Sequence, residues 1–307
     1  MRKSIPNGVW PTMLTPLTNS NEIDYRVLED LVEWYLEKQV DGLFAVCQSS
    51  EMFFLSLDER IGIARRVVKA VSGQIPVIAS GHISDNMAGQ VREVQAIADT
   101  GVDAVVLVTN RLAEEGESED IWKRNAERLM NEVPDVPFGL YECPYPYKRI
   151  LSKDLMKWCD ATGRILFLKD TCCDVKQMQE KVESVGGAKL KIFNANAATL
   201  LESLKSGVSG YSGVMANFHP ELYVWLTREW FREAEAAQEL QAFLGVASLI
   251  ERQLYPINAK YYLQLEGLDI SLVSRTPNSR DLTCSERYEV EQLHELSRQY
   301  CDRFRLN

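Results

Sequence analysis

Histidine is scarce in this chain: His82, His219 and His294 are the three in 307 residues, and they lie far apart. No H-E-x-x-H or similar ligand spacing appears, so a histidine-based metal centre is not expected. The seven cysteines (Cys47, Cys143, Cys159, Cys172, Cys173, Cys284, Cys301) are odd in number and follow no framework spacing. Cys172-Cys173 is an adjacent pair, not C-x-x-C. These features point away from a disulfide scaffold and towards a reduced, cytoplasmic protein. Cationic side chains are outnumbered, 34 Lys and Arg against 44 Asp and Glu, for a formal charge of −10. A nucleic-acid surface and an anionic membrane are therefore not expected partners. An anionic substrate has to be held by local devices such as backbone amides or one or two cationic side chains. No stretch approaches twenty apolar residues, and Met1-Arg2-Lys3-Ser4-Ile5-Pro6 is followed by no apolar h-region, so neither a span nor an export leader is expected. The G-x-G-x-x-G turn of a dinucleotide fold is missing too, and no cofactor is implied.

What is present is ordinary core material, 46% hydrophobic and 25% charged residues, arranged with a strong rhythm. Short apolar runs at Val9–Leu17, Gly42–Val46, Pro76–Ser80, Ala104–Val108, Phe138–Tyr141, Ile165–Lys169, Leu190–Phe193 and Tyr211–Ala216 alternate with helical patterns. Asp24 precedes a helix whose Val27, Leu28, Leu31, Val32 and Tyr35 form one stripe. Ser56-Leu57-Asp58-Glu59 reads as a capping box, and Ser152 precedes another helix start. Eight strand–helix units of roughly 28 residues predict an α/β fold, the parallel (β/α)8 TIM barrel, rather than an open doubly wound sheet. After Ala216 only helical patterns follow, including Glu235–Leu254 and Ser285–Phe304. The expected organisation is a catalytic barrel over 1–233 and a C-terminal helical appendage over 234–307, joined without a flexible linker.

One strand carries a chemical signal. Ile165-Leu166-Phe167-Leu168-Lys169-Asp170-Thr171 is a buried-type run ending in a lone lysine. Low dielectric disfavours an ammonium, and an amine so affected attacks carbonyls to form imines near neutral pH. With an ordinary pKa of about 10.4 only about 0.04% of a lysine is free amine at pH 7. Lowering it to about 7 gains roughly a thousandfold, on the order of 4–5 kcal/mol. The competing reading is a strand-end lysine reaching into water.

In an eightfold barrel the active site lies at the C-terminal strand ends. Those ends read Cys47-Gln48-Ser49-Ser50-Glu51, Ser80-Gly81-His82, Thr109-Asn110-Arg111, Tyr141-Glu142, Lys169-Asp170-Thr171, Asn194-Ala195-Asn196 and Ser212-Gly213, and no comparable set occupies the opposite ends. Strands often end in polar loops, but Tyr141 and Lys169 end consecutive strands about 4.8 Å apart. With both inward, the phenol can relay protons for an amine-bound carbinol. Strand alternation turns Asp170 outward, towards the helices.

Taken together, these residues resemble the dihydrodipicolinate synthase / N-acetylneuraminate lyase family of class I aldolases over nearly the whole chain. The likeness is carried by Thr15-Pro16, Asp41-Gly42-Leu43, Ile75-Pro76-Val77-Ile78-Ala79, Tyr141-Glu142-Cys143-Pro144, Leu168-Lys169-Asp170, Gly210-Tyr211-Ser212-Gly213-Val214 with Ala216-Asn217, and Pro256-Ile257-Asn258-Ala259-Lys260. It implies a barrel with a C-terminal helical domain, a homo-oligomer (dimer or tetramer), a Schiff base between Lys169 and pyruvate or a longer 2-oxo acid, and Tyr141 as proton relay. It places the substrate carboxylate at the Ser49 and Ser50 amides. Ser212, Asn194 and Asn196 are read as lining the far side.

Three positions depart from the family pattern. Gln48 stands where a relay hydroxyl is expected. Leu112 stands near the place of the tyrosine lent across a subunit interface. The arginine that takes the aldehyde's carboxylate has no aligned match, with Arg149 or Lys148 as substitutes. The resulting expectation is a Schiff-base lyase, aldolase or dehydratase, acting on pyruvate or a 2-oxo-3-deoxy sugar acid. The alternatives are 4-hydroxy-tetrahydrodipicolinate synthase activity, a non-catalytic 2-oxo acid binder, and a barrel enzyme for phosphorylated or metal-chelated substrates. The six tryptophans are read as packing residues, His82 as a satisfied loop histidine, and Glu114-Glu115-Gly116-Glu117 as a solvated loop beside the site mouth.

Overall fold

The computed structural model describes residues 4–186 and 189–306; residues 1–3, part of the N-terminal segment in which no export leader is expected, lie outside the described residues, as do 187, 188 and 307. Among the described residues, eight strands form one parallel sheet: β1 (Gly8–Val9), β2 (Leu43–Phe44), β3 (Val77–Ser80), β4 (Ala104–Val108), β5 (Phe138–Tyr141), β6 (Ile165–Asp170), β7 (Lys191–Asn194) and β8 (Gly210–Tyr211). Their order is β1-β8-β7-β6-β5-β4-β3-β2, sequential apart from the jump that sets the first strand beside the last. The sheet curls, and a parallel bridge from Thr12 to Phe44 joins its two ends, with Phe44 N donating to Pro11 O and Met13 N to Phe44 O, both at 3.0 Å. Between strands run α1 (Tyr25–Glu37), α2 (Leu57–Val71), α3 (Met87–Ala98), α4 (Glu119–Glu132), α5 (Lys153–Ala161), α6 (Val175–Ser184) and α7 (Leu200–Lys205). After β8 the regular elements are helical: α8 (Pro220–Glu229), α9 (Ala234–Ala247), α10 (Ile257–Leu265) and α11 (Cys284–Phe304).

The helix starts have the chemistry their sequences predict. Ser56 Oγ accepts from Glu59 N at 3.2 Å and Glu59 Oε2 accepts from Ser56 N at 2.8 Å, a complete capping box. Asp24 caps α1 through Val27 N at 3.0 Å, and Ser152 caps α5 through Leu155 N at 3.1 Å. Each such cap contributes about 1 kcal/mol by satisfying an otherwise orphaned helix-end amide.

The outer strands are shorter than their apolar runs. β1 stops at Val9 and the chain continues irregularly towards Leu17, because Pro11 and Pro16 offer no ladder donors. β8 ends at Tyr211, and Val214–Asn217 winds into a 3-10 turn. Gly8 and Gly210 lie opposite each other across this seam. A Cβ on Gly210, whose φ is +153, would come within 1.9 Å of Gly8 O, so the last strand approaches the first this closely only with glycine at 210. The long C-terminal pattern breaks likewise, α9 giving way to a 3-10 turn over Ser248–Arg252.

Inside the curl, an aromatic layer fills the space beneath the strand ends. Phe167 stacks on Phe193 at 4.6 Å and meets Trp10 edge-on at 5.4 Å. Phe44 bridges this layer to Tyr141 at 6.0 Å. Trp10 and Trp122 are fully buried and Trp34 nearly so, while Trp158, Trp225 and Trp230 pack half-buried against the core.

Candidate active site

β6 carries one more residue than its neighbour. Phe138 pairs with Ile165, but Gly139 pairs with Phe167, so Leu166 is bulged out and β6 advances by one. A bulge re-aims the side chains beyond it. Here it sets Tyr141 directly opposite Lys169; unshifted pairing would have matched Tyr141 with Leu168. Both side chains then share the inner face, and Lys169 Nζ lies 4.9 Å from the centroid of the Tyr141 ring. They open into a cavity of about 530 Å³, also lined by Gln48, Ser49, Asn196 and Glu251.

The amine is in the environment that imine chemistry requires. Lys169 is 4% exposed and makes no ion pair or hydrogen bond among the described residues. Burial pulls its pKa below the ordinary lysine value, opposed by the nearby Cys47, Cys143 and Glu251. The Tyr141 phenol is pushed well above its ordinary value, first by burial and then by Cys143, so it remains a proton donor across the neutral range. Its hydroxyl donates to Gln48 Oε1 at 3.1 Å. The Cys143 thiol reaches the same oxygen at 3.4 Å.

Behind this pair the strands are braced by a buried charge cluster. Glu142 and Asp170, the neighbours of Tyr141 and Lys169, point outward as alternation dictates, and Lys181 of α6 bridges them. Its Nζ sits 2.6 Å from Glu142 Oε1 and 2.5 Å from Asp170 Oδ2, and all three side chains are at most 1% exposed. Glu142 also accepts Leu151 N and Thr171 N, both at 2.9 Å. Burial, and then Asp170, raise the Glu142 pKa, while the two carboxylates outweigh burial to raise that of Lys181.

The loop after β2 is held equally firmly. Ser50 Oγ lies 2.8 Å from Met13 O and 3.0 Å from Ala45 O, and accepts from Cys47 N at 3.1 Å. Glu51, in the left-handed region at φ 62, buries its carboxylate against Lys260 Nζ at 3.3 Å and Ser274 Oγ at 3.0 Å. That ion pair ties the loop to α10. The turn uses Ser50 N, which donates to Cys47 O at 3.1 Å. In this turn, among the described residues, the Gln48 and Ser49 amides have no partner, whereas that of Ser50, expected beside Ser49 at the substrate, is already engaged.

Of the other residues expected at the site, Gln48, Ser49 and Asn196 line the cavity and four do not. The Ser50 hydroxyl is taken up by the Met13 and Ala45 carbonyls. Ser212 Oγ donates to Trp10 O at 3.0 Å, behind the seam. Asn194 faces the helices, donating to Thr199 Oγ1 and Ser203 Oγ at 3.0 Å. Arg149 folds its guanidinium onto the Glu114 and Glu117 carbonyls at 2.8 Å. Lys148 instead reaches the cavity wall, with Nζ 2.7 Å from Thr171 O. Leu112 is buried in its own chain, and Glu114, Glu115 and Glu117 line a separate cavity of about 620 Å³. His82 is fully buried with Nδ1 accepting Val108 N at 3.0 Å, and burial lowers its pKa to about 4.

Glu251 was not legible as a site residue. It sits in the 3-10 turn after α9, where the helical pattern fails before Pro256, and that break is the signal a reader could have followed. Burial raises its pKa to about 7, against the pull of Lys169 and Arg252.

A model of the Dihydrodipicolinate synthetase family matches residues 5–296. The chain belongs to this family. It is 27% identical over 268 residues to a 4-hydroxy-tetrahydrodipicolinate synthase of Psychrobacter arcticus, covering 85% of this chain and 86% of that one. It is 30% identical to the synthase of Jannaschia sp., over 81% and 78% of the two chains. Among solved structures, an E. coli K12 prophage protein of the dihydrodipicolinic acid synthase family in complex with pyruvate superposes with a TM-score of 0.84. At 23% identity it covers 96% of this chain and 98% of that one. Similarity of this degree shows the α/β fold, and the family to which the chain belongs is one of lyases. A related structure is described as a monomeric dihydrodipicolinate synthase variant, at 22% identity and a TM-score of 0.84, over 95% and 97% of the two chains. Among the described residues no helix is long and apolar enough to cross a membrane.

Proposed function

We propose that this chain is a class I lyase that forms a Schiff base between Lys169 and pyruvate or a 2-oxo-3-deoxy sugar acid. The observation that carries the reading is the buried Lys169 amine, without an ion pair or hydrogen bond among the described residues, facing Tyr141 across one strand pair in a shared cavity. The carboxylate of the substrate lies against the Gln48 and Ser49 amides, since adjacent backbone N–H groups favour anions. Lys169 attacks C2, Tyr141 passes a proton to the departing hydroxyl, and water leaves to give an iminium. That cation withdraws electrons from C3, so a C3–C4 bond can break or form, or a C3 proton can leave ahead of dehydration.

The catalytic unit is a (β/α)8 barrel over 1–233 with a helical domain over 234–307, working in the cytoplasm as a homo-oligomer without a cofactor. A polyhydroxylated substrate is favoured over the aldehyde partner of lysine-pathway synthesis. Arg149 is committed outside the cavity and Lys148, at its wall, already donates to the Thr171 carbonyl, while the Glu251 carboxyl offers substrate hydroxyl groups a hydrogen-bond partner. Borohydride reduction with pyruvate, followed by peptide mapping, is expected to add one reduced pyruvyl group at Lys169 and none in Lys169→Met. Absence of that adduct from the wild-type chain refutes the proposal.

A further inference from the structure

The proton path of this site stops at Gln48. The Tyr141 hydroxyl and the Cys143 thiol both converge on Gln48 Oε1, at 3.1 and 3.4 Å. An amide neither takes up nor releases a proton near neutral pH, so a proton on Tyr141 has no onward route through Gln48. A lyase that makes and breaks C3–H or C3–C4 bonds needs a group that exchanges protons with solvent and reaches the far side of the bound substrate.

Within the cavity one carboxylate is uncommitted. Glu251 lines the same space as Lys169, and among the described residues its side chain makes no hydrogen bond or ion pair. Its backbone is held in place: Asn258, fully buried on α10, donates Nδ2 to the carbonyl of the adjacent Ile250 at 2.8 Å. The titratable or charged groups facing it are Lys169 on β6, Tyr211 on β8, Tyr223 on α8, Tyr255 before α10, and Arg252 beside it. Lys169 and Arg252 are the cations of this set, and the three phenols are pushed up by burial and remain neutral.

Building on the Schiff-base reading, we infer that Glu251, contributed from beyond the strands, is the acid–base residue acting at C3 and beyond of the imine-bound substrate. With the iminium formed, the C3–H bond breaks and its electron pair becomes the C2=C3 bond of the enamine, neutralising the iminium nitrogen. The proton goes to the Glu251 carboxylate, leaving a carboxylic acid that exchanges with water. In the reverse direction the acid returns its proton to C3. A group titrating at about 7 is matched to both directions near neutrality.

The test is exchange of the pyruvate methyl protons in heavy water, followed by NMR from pH 5.5 to 9, alongside borohydride trapping over the same range. Glu251→Gln is expected to trap pyruvate on Lys169 as the wild type does. Its exchange rate falls by about a hundredfold or more, and the exchange profile loses the part of its rise around neutrality that belongs to Glu251, while the trapping profile, set by the Lys169 amine, stays that of the wild type. Glu251→Asp, which keeps the acid, recovers part of the rate and restores that rise. Wild-type exchange and pH profile in Glu251→Gln overturn the inference while leaving the Schiff base standing. Failure of the wild type to trap pyruvate overturns both.

Discussion

Replacing Lys181 by methionine removes the cation that bridges two buried carboxylates and fills its volume with an apolar stem. In the native chain its ammonium lies 2.6 Å from Glu142 and 2.5 Å from Asp170, and neither carboxyl has measurable exposure. Breaking a buried pair from one side typically costs 3–5 kcal/mol, because a charge is left buried and uncompensated; here two like charges are left facing each other. At about 2.1 cal/mol/K of unfolding entropy per residue, a chain of this length has an entropy near 0.65 kcal/mol/K, so the melting temperature drops by about 5–8 °C. The deficit depends on pH in a definite sense. A carboxyl with a raised folded pKa stabilises the fold below its unfolded value and loses that contribution as pH rises through the folded one. In Lys181→Met the Glu142 pKa rises further, so the deficit is largest at pH 8 and shrinks towards pH 5. Scanning calorimetry of both chains at the two pH values checks this. A melting temperature within about 1 °C of wild type at pH 8, or an equal deficit at both, refutes the cluster's role in holding the strands that carry Tyr141 and Lys169.

Two further outcomes concern the reactive pair. Tyr141→Phe keeps the ring that packs on Phe44 and loses the hydroxyl. Its rate of borohydride-trapped adduct formation is expected to fall by about 10²–10⁴-fold with little change in melting temperature, and an unchanged rate removes the phenol from the mechanism. Because burial lowers the pKa of Lys169, the initial rate of adduct formation rises with pH and levels off below the ordinary lysine value. A rate still climbing through pH 10.5 contradicts a desolvated amine.

Much of this was legible because local chemistry writes itself plainly. Ser56 with Glu59, and Asp24 or Ser152 ahead of an apolar stripe, announce helix starts through orphan amides that only nearby oxygens satisfy. A lysine closing an apolar strand is conspicuous because burial of an ammonium is costly. The misplacements share one cause, that a residue's type does not reveal whether its hydrogen bonds are already spent. Asn194, Ser212 and Ser50 look available in the sequence, yet Ser203, the Trp10 carbonyl and the Met13 carbonyl have claimed them.

By itself, the order of residues determined the eight strand–helix beats, the family, and the pairing of a phenol with an amine on consecutive strands, since periodicity, caps and alternation are short-range properties. The folded chain alone decided that Leu166 bulges and so brings Tyr141 level with Lys169. It also decided that Lys260 reaches back to Glu51 across more than two hundred residues, and that Glu251 enters the cavity from behind the last strand. Those outcomes depend on register and on which distant groups share a buried space, and both are settled only when the whole sheet closes over its aromatic layer.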